Sequence, residues 1–324
     1  MITQNKKKKH LVAAIDYGGT KILAGIIDDK GKIISSRKVL TPDNVSKEII
    51  IKTSANLLEE VCRESEISVQ DTLGIGIAAP GIVSSKSEML LYAPNWKIRN
   101  FDFKKIFEKR FGVKVRVAND INAAAVAELN LGHGKREKSF FWITISTGIG
   151  GALVLDGKLI TGKRGLAGEI GHINIKENGP LCKCGKRGCL EAISSGPAIL
   201  NTAIERIGTH GKKKNTRLEL AGLTTQKIVE AANKGDKLAY EIINETSREI
   251  ARGISYIVNL ADIDLMVLGG GVILKNPLMF RLIKKHIRGF IYEADKRDFR
   301  LTLPKFGYDS CLIGAASLIL FDGK

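Results

Sequence analysis

The sequence predicts an α/β protein built from two related halves. Apolar runs of strand length alternate with amphipathic segments of helical period along the chain. The order strand, glycine-rich turn, strand, turn, strand occurs twice, once near the N-terminus and again from Phe140. The 324 residues, 44% of them hydrophobic, can bury the core of one large or two ordinary domains.

The elements follow in order. Residues 1–10 read as a basic tail. Apolar runs at 11–16 and 22–27, separated by Gly18-Gly19, lead through the turn Asp28-Asp29-Lys30-Gly31 to a third strand at 32–40, a meander. A helix is expected over 46–63, strands over 73–79 and 113–118, and a helix over 121–131; the segment 80–112 carries no clear period. The second half restarts with a strand at 140–145, a glycine turn at Thr147-Gly148 and Gly150-Gly151, a strand at 152–155, the hairpin signal Asp156-Gly157 and a strand at 158–161. Residues 162–196, rich in Gly, Cys and polar side chains, read as a functional insertion. Helices at 196–207, 225–232 and 237–259, a basic loop at 208–216, a buried strand at 265–268 ending in Gly269-Gly270-Gly271, and a helix at 309–320 complete the chain.

Charge and cysteine content bound the partners. The 51 basic and 34 acidic residues give a net charge of +17, which points first to anionic partners. Lys6–Lys9 and Lys212–Lys214 account for seven of the basic residues, in a tail and a loop remote in sequence from every candidate motif, so no specific nucleic acid is expected. The apolar run after Lys9 is too short for a secretory signal and stops at Asp16, and no stretch approaches the roughly 18 apolar residues of a membrane span. A soluble cytoplasmic protein is expected. Cys62 and Cys311 stand alone, whereas Cys182, Cys184 and Cys189 fall within eight positions, a metal pattern rather than a disulfide framework.

Several residues carry candidate chemistry. The turns Gly18-Gly19-Thr20-Lys21 and Thr147-Gly148-Ile149-Gly150-Gly151 join apolar strands. Such turns let backbone N–H groups approach an anion, although glycines also serve hairpins for their own sake. Neither matches a P-loop or a dinucleotide fingerprint. Asp120 follows the strand at 113–118 where a helix begins. It reads either as a helix N-cap or as a carboxylate able to take a hydroxyl proton during phosphoryl transfer. Cys182, Cys184 and Cys189, with His172 ten positions upstream, supply three sulfurs and one imidazole, a closed tetrahedral set for structural zinc; buried or redox cysteines are the alternative. Glu169 and Glu191, just outside that loop, are surface acids or groups the metal aims.

The segments DYGGTK, ANDINAAA, STGIGGAL, GEIGHI and CKCGKRGCLE resemble the ROK family (repressors, open reading frames, sugar kinases) from about residue 11 to 320, and within it the bacterial glucokinases. The resemblance implies an actin-like, ribonuclease H-like fold of two α/β domains closing on sugar and nucleotide. The expected domains are 11–119, completed by the helix at 309–324, and 120–308 with a zinc loop at 172–191. It implies ATP with Mg²⁺ and structural Zn²⁺ as cofactors and a homo-oligomer, dimer or tetramer, as assembly. By matching motif, Asp16, Gly18, Gly19, Thr20 and Lys21 form the first phosphate motif, with Asp16 organising Mg²⁺; Thr147, Gly148 and Gly150 form the second; and Gly269, Gly270 and Gly271 lie near adenosine. Asn119, Asp120, Glu169, His172 and Glu191 would hold sugar hydroxyls, with Asp120 the general base and His172 shared with zinc. Ser146 stands where glycine is common and Ile121 where alanine is frequent; neither removes a ligand. The implied activity is phosphorylation of a hexose, glucose first, with an N-acyl hexosamine or another hexose as alternative. A sugar-responsive regulator is the reading from a different class. With only ten residues before the first strand, no DNA-binding module is expected.

Overall fold

The computed structural model describes residues 10–43, 45–210 and 216–323. The expected tail over 1–10, save His10, and Lys212–Lys214 lie outside the described residues. By packing the chain forms two units. The first holds the described residues of Met1–Lys138, Gly157–Ala167 and Asp309–Lys324; the second holds those of Ser139–Asp156 and Gly168–Tyr308.

The first unit opens with the expected meander. β1 (Val12–Tyr17) pairs antiparallel with β2 (Lys21–Ile27), and β2 with β3 (Ile33–Leu40). The helix α1 (Lys47–Ser65) is capped by Ser46, whose hydroxyl accepts from the Ile49 N–H. β4 (Ile75–Ala79) lies parallel to β1. The segment without a clear period is a small antiparallel sheet of β5 (Ile82–Val83), β6 (Leu90–Ala93) and β7 (Ile98–Phe101), followed by α2 (Phe103–Phe111). Strands of two to four residues are too short to show an alternation. β8 (Val115–Asn119) then pairs parallel with β4 and runs directly into α3 (Asp120–Leu131), giving the sheet order β3-β2-β1-β4-β8.

In the second unit β9 (Phe140–Ile145) pairs antiparallel with β10 (Ile149–Leu155). β10 starts at Ile149 rather than near 152, so Gly150 and Gly151 are strand residues opposite Thr144 and Ile143. The turn itself is Ser146–Gly148, closed by the Ser146 N–H donating to the Gly148 carbonyl at 2.9 Å. β11 (Lys158–Ile160) lies in the segment that packs with the first unit. Residues 162–196 are irregular, as expected, with a 3₁₀ turn at Ile170–His172 and the short helix α4 (Leu190–Ser194). Then come α5 (Gly196–His210), α6 (Thr225–Asn233), α7 (Lys237–Ala261), β12 (Leu265–Gly269), α8 (Gly271–Leu274), α9 (Pro277–Ile287) and β13 (Arg300–Thr302). α9 and β13 were not expected, although Asn276 as cap and Pro277 in the first turn of α9 are a start signal. β12 lies parallel to both β9 and β13. The strands β10-β9-β12-β13 thus repeat the order β2-β1-β4-β8, a hairpin followed by two parallel strands.

The chain ends in α10 (Ser310–Leu320), which returns to the first unit. It explains why β1 reads as a continuous apolar run: Ala13, Ile15 and Tyr17 pack on one face with Leu57, Leu58 and Val61 of α1, while Val12 and Ala14 pack on the other with Ala123, Leu312 and Ala315. α3 packs against α10 and β4, and so belongs by packing to the first unit, whereas the sequence placed the boundary just before it. The approach is closest at Gly76, where an added Cβ would lie 1.8 Å from the Ala315 carbonyl oxygen. Gly76→Ala should therefore displace α10 and lower stability by about 1–3 kcal/mol, read as a lower midpoint in urea.

Candidate functional site

In the first unit the chemistry gathers at the carboxyl ends of the parallel strands, where ligands of α/β sheets bind. Asp16 lies opposite Ala78 near the end of β1, and Ala79 lies opposite Asn119 at the end of β8. Asn119, not Asp120, caps α3: its Oδ1 accepts from the N–H groups of Ile121 and Asn122 at 2.9 and 3.1 Å. Its Nδ2 donates to Asp120 Oδ1 at 2.8 Å and to the Gly81 carbonyl at 2.9 Å. The structure thus corrects the reading of Asp120 as the cap. Asp120 is the half-buried first residue of the helix, its carboxylate oriented by Asn119 and by its own neighbour's N–H.

Loss of hydration and the Asp120 carboxylate push Asp16 up from an ordinary 3.8 to about 7; Lys21 works against this and Asp309 adds to it. Cys311 of α10 stands in the same field. Its thiol is held well above its usual range by burial and by Asp16 and Asp120. In the sequence it is only a cysteine standing alone. Next to these groups the first glycine turn is closed by the Gly18 N–H donating to the Lys21 carbonyl at 2.9 Å, and Thr41 Oγ donates to the Gly18 carbonyl. Gly19, Thr20 and Lys21 are exposed. The Asn95 carboxamide flanks Gly19, its nitrogen 4.0 Å from the position of an added Cβ. Asn95 falls in the segment without a period, and nothing in the sequence marked it.

In the second unit the Ser146–Gly148 turn is the centre. Thr147 is exposed at its tip. Glu191, in the first turn of α4, accepts the Ile149 N–H through Oε2 at 2.9 Å. Gly148 makes this possible, because a Cβ there would lie 2.5 Å from that oxygen. Gly271 lies beside the Ser146 hydroxyl, so the glycines that end β12 adjoin the same turn. The 3₁₀ turn at Ile170–His172 is seated on β10 through Gly171, whose absent Cβ would meet the Ile149 carbonyl oxygen at 1.9 Å. Glu169 precedes that turn and His172 is its last residue, with His172 Nε2 4.0 Å from Glu169 Oε2. Burial raises the Glu169 carboxyl; His172 opposes the shift and Glu191 reinforces it.

The cysteine loop gathers donors of the kind zinc takes, with two of their separations at tetrahedral edge length. The ligand atoms of His172, Cys182, Cys184 and Cys189 all lie within 4.8 Å of one another. Cys182 Sγ is 3.7 Å from His172 Nδ1, and Cys184 Sγ is 3.7 Å from Cys189 Sγ. Metal–ligand distances of about 2.0–2.3 Å around a tetrahedral zinc require edges of about 3.6–3.8 Å, so the residues fit. His172 divides its ring between Nδ1 on the thiols and Nε2 toward Glu169. Among the described residues no helix is long and apolar enough to cross a membrane.

A twice-repeated sheet order with a glycine turn in each half, and a carboxylate at a strand end of the first, defines an actin-like, ribonuclease H-like α/β protein of the sugar-kinase type. The chain belongs to the ROK family, whose pattern matches residues 12–321. It is 32% identical to a glucokinase of Streptomyces coelicolor over 95% of this chain and 97% of that one. It is also 32% identical to an N-acetylmannosamine kinase of Salmonella typhi, over 94% and 97%. The solved ROK family glucokinase of Streptomyces griseus, in complex with glucose and AMPPNP, superposes with a TM-score of 0.83 at 32% identity, covering 95% of this chain and 98% of that one.

The raised Asp16 carboxyl makes stability depend on pH. Its folded value of about 7 exceeds the ordinary 3.8, so the fold binds the extra proton and loses stability as pH rises from about 4 to about 7, with no further loss above. In metal-free buffer Asp16→Asn should therefore melt at a higher temperature than the parent, by a margin that grows from pH 5 to pH 7 and then holds. A margin independent of pH would contradict the shift.

Proposed function

We propose that this protein transfers the γ-phosphoryl group of ATP to a hexose, with glucose as substrate and glucose 6-phosphate as product. One observation carries the reading: Asp120 is held at the end of a parallel strand by Asn119, which has itself taken over the capping of α3. A carboxylate relieved of that structural duty suits a general base. The similarity to glucokinases supports the substrate. Equal identity to an N-acetylmannosamine kinase makes an N-acyl hexosamine the second reading.

In this reading Asn119 and Asp120, together with Glu169, His172 and Glu191, take the hydroxyls of the sugar. Fixed acceptors of this kind reject analogues that lack a hydroxyl, because buried groups would be left unpaired. Asp120 receives the proton of the attacking hydroxyl. Phosphoryl transfer depends on in-line placement and on neutralising phosphate oxygens more than on covalent help. The N–H groups of Gly18–Lys21 and of Thr147–Gly148 cradle the phosphates, Gly150 backs the second turn, and Gly269–Gly271 lie toward the adenosine. Mg²⁺, for which Asp16 and its carboxylate neighbours are a fitting donor set, would neutralise charge on the transferred group. Zn²⁺ on His172, Cys182, Cys184 and Cys189 would hold the loop that aims Glu169, His172 and Glu191. We place the reaction in the cytoplasm, in a homo-oligomer.

An ADP-coupled assay against glucose, mannose, N-acetylglucosamine, N-acetylmannosamine and fructose should show turnover, fastest with glucose; no turnover with any of them would overturn the kinase reading. Asp120→Asn should lower turnover by about 10²–10⁴-fold while sugar binding persists, and near-normal turnover would remove Asp120 as base. Metal analysis should return one zinc per chain, and a metal-free protein of full activity would contradict the structural role.

A further inference from the structure

We propose that Glu191 is a positioning residue for the nucleotide-phosphate turn, acting through the backbone of Ile149 whether or not sugar is bound. One of its carboxylate oxygens is already engaged: Oε2 accepts the Ile149 N–H at 2.9 Å, while Oε1 lies 4.0 Å from Cys182 Sγ. The turn is held at both ends. Glu191, in the first turn of α4, holds the Ile149 end; at the other, Gly196, the first residue of α5, donates its N–H to the Ser146 carbonyl at 2.8 Å. Between these two anchors lies the whole of Ser146–Gly148, whose own closure is the Ser146 N–H to Gly148 carbonyl bond. The Thr225 hydroxyl fixes the far anchor by donating to the Gly196 carbonyl at 2.8 Å. α4 starts immediately after Cys189, so its near end is set by the cysteine loop.

A charged acceptor here has a definite effect. At a turn whose N–H groups serve an anion, each N–H must point outward in a fixed direction. Engaging the Ile149 N–H through a charge-assisted bond sets the orientation of the peptide plane that follows Gly148, and glycine is the residue least able to set it alone. A Cβ at Gly148 would lie 2.5 Å from Glu191 Oε2, so glycine leaves the carboxylate this approach. The two residues form one device.

The inference rests on the reading of Ser146–Gly148 as a phosphate turn, and its test separates the two. Glu191→Asp keeps the charge but withdraws it from the Ile149 N–H by one methylene, whereas Glu191→Gln keeps an oxygen acceptor in place. In sugar-free buffer the magnesium complex of AMPPNP should bind Glu191→Asp about tenfold more weakly than the parent, the worth of one charge-assisted hydrogen bond, and Glu191→Gln, which keeps the bond but gives up its charge, about threefold more weakly. Hydrogen exchange at the Ile149 amide should quicken about tenfold in Glu191→Asp and about threefold in Glu191→Gln. A Glu191→Asp protein with parental affinity and parental exchange overturns the inference, as does equal weakening in both variants. Quickened exchange with unchanged affinity overturns the nucleotide role of the turn. A parent protein that fails to bind AMPPNP overturns the kinase reading itself.

Discussion

The carboxylate edge of the first sheet depends on how closely α10 can lie on β4. At Gly76 the backbone of the helix occupies the place a side chain would take. That approach does more than close a core. It brings Cys311 into the field of Asp16 and Asp120, and it sets Asp309 where its charge reaches Asp16. Packing and electrostatics are therefore one problem here, because the helix that seals the apolar face also adjusts the proton affinity at the strand ends. Ion pairs tie the segment just past α10 to the start of β8: Arg116 reaches Asp322 at 3.1 Å, and Lys114 also pairs with Asp322. Burial of side chains such as Leu312, Ile313 and Ile319, about 1.5–3 kcal/mol each, holds the helix down.

The two units offer different chemistry. The first presents hard oxygen donors crowded into a field that raises Asp16; the second presents soft sulfur and imidazole donors beside glycine turns. The overall charge of +17 does not describe the first of these places, where Asp16, Asp120 and Asp309 gather around Lys21. In the proposed reading an anionic substrate would be met at the turns by oriented N–H groups, whose partial charges are fixed in direction and need no side-chain reorganisation. Proton affinity and anion affinity can then be set on separate elements.

Much of this was legible in the sequence, and the limits have physical causes. β1, β2, β3, α1, β8, α3, β9 and α10 stood out because each is long enough for its period and is bounded by a turn or cap residue. β5, β6 and β7 did not, because strands of two to four residues carry no period. The zinc-type cluster was readable because ligand spacing on a loop is a local property. The partners that set the site were not local. Asn119 supplying the cap beside Asp120, Glu191 reaching Ile149, and Cys311 arriving from the last helix all depend on separations that only the fold closes. Gly150 illustrates the same limit: its identity is visible in the sequence, but its position in β10 rather than in the turn is fixed by pairing with Thr144.

The discontinuity of the first unit has a consequence for the order in which the protein is made. A ribosome that has delivered β1 through α3 has not yet synthesised α10. The face bearing Val12, Ala14, Ala78 and Ala123 then waits without its cover while the entire second unit is translated. Domains usually mature from the N-terminus onward during synthesis. Here the unit begun first is finished last, and the nascent chain carries an unsealed apolar surface through most of its translation.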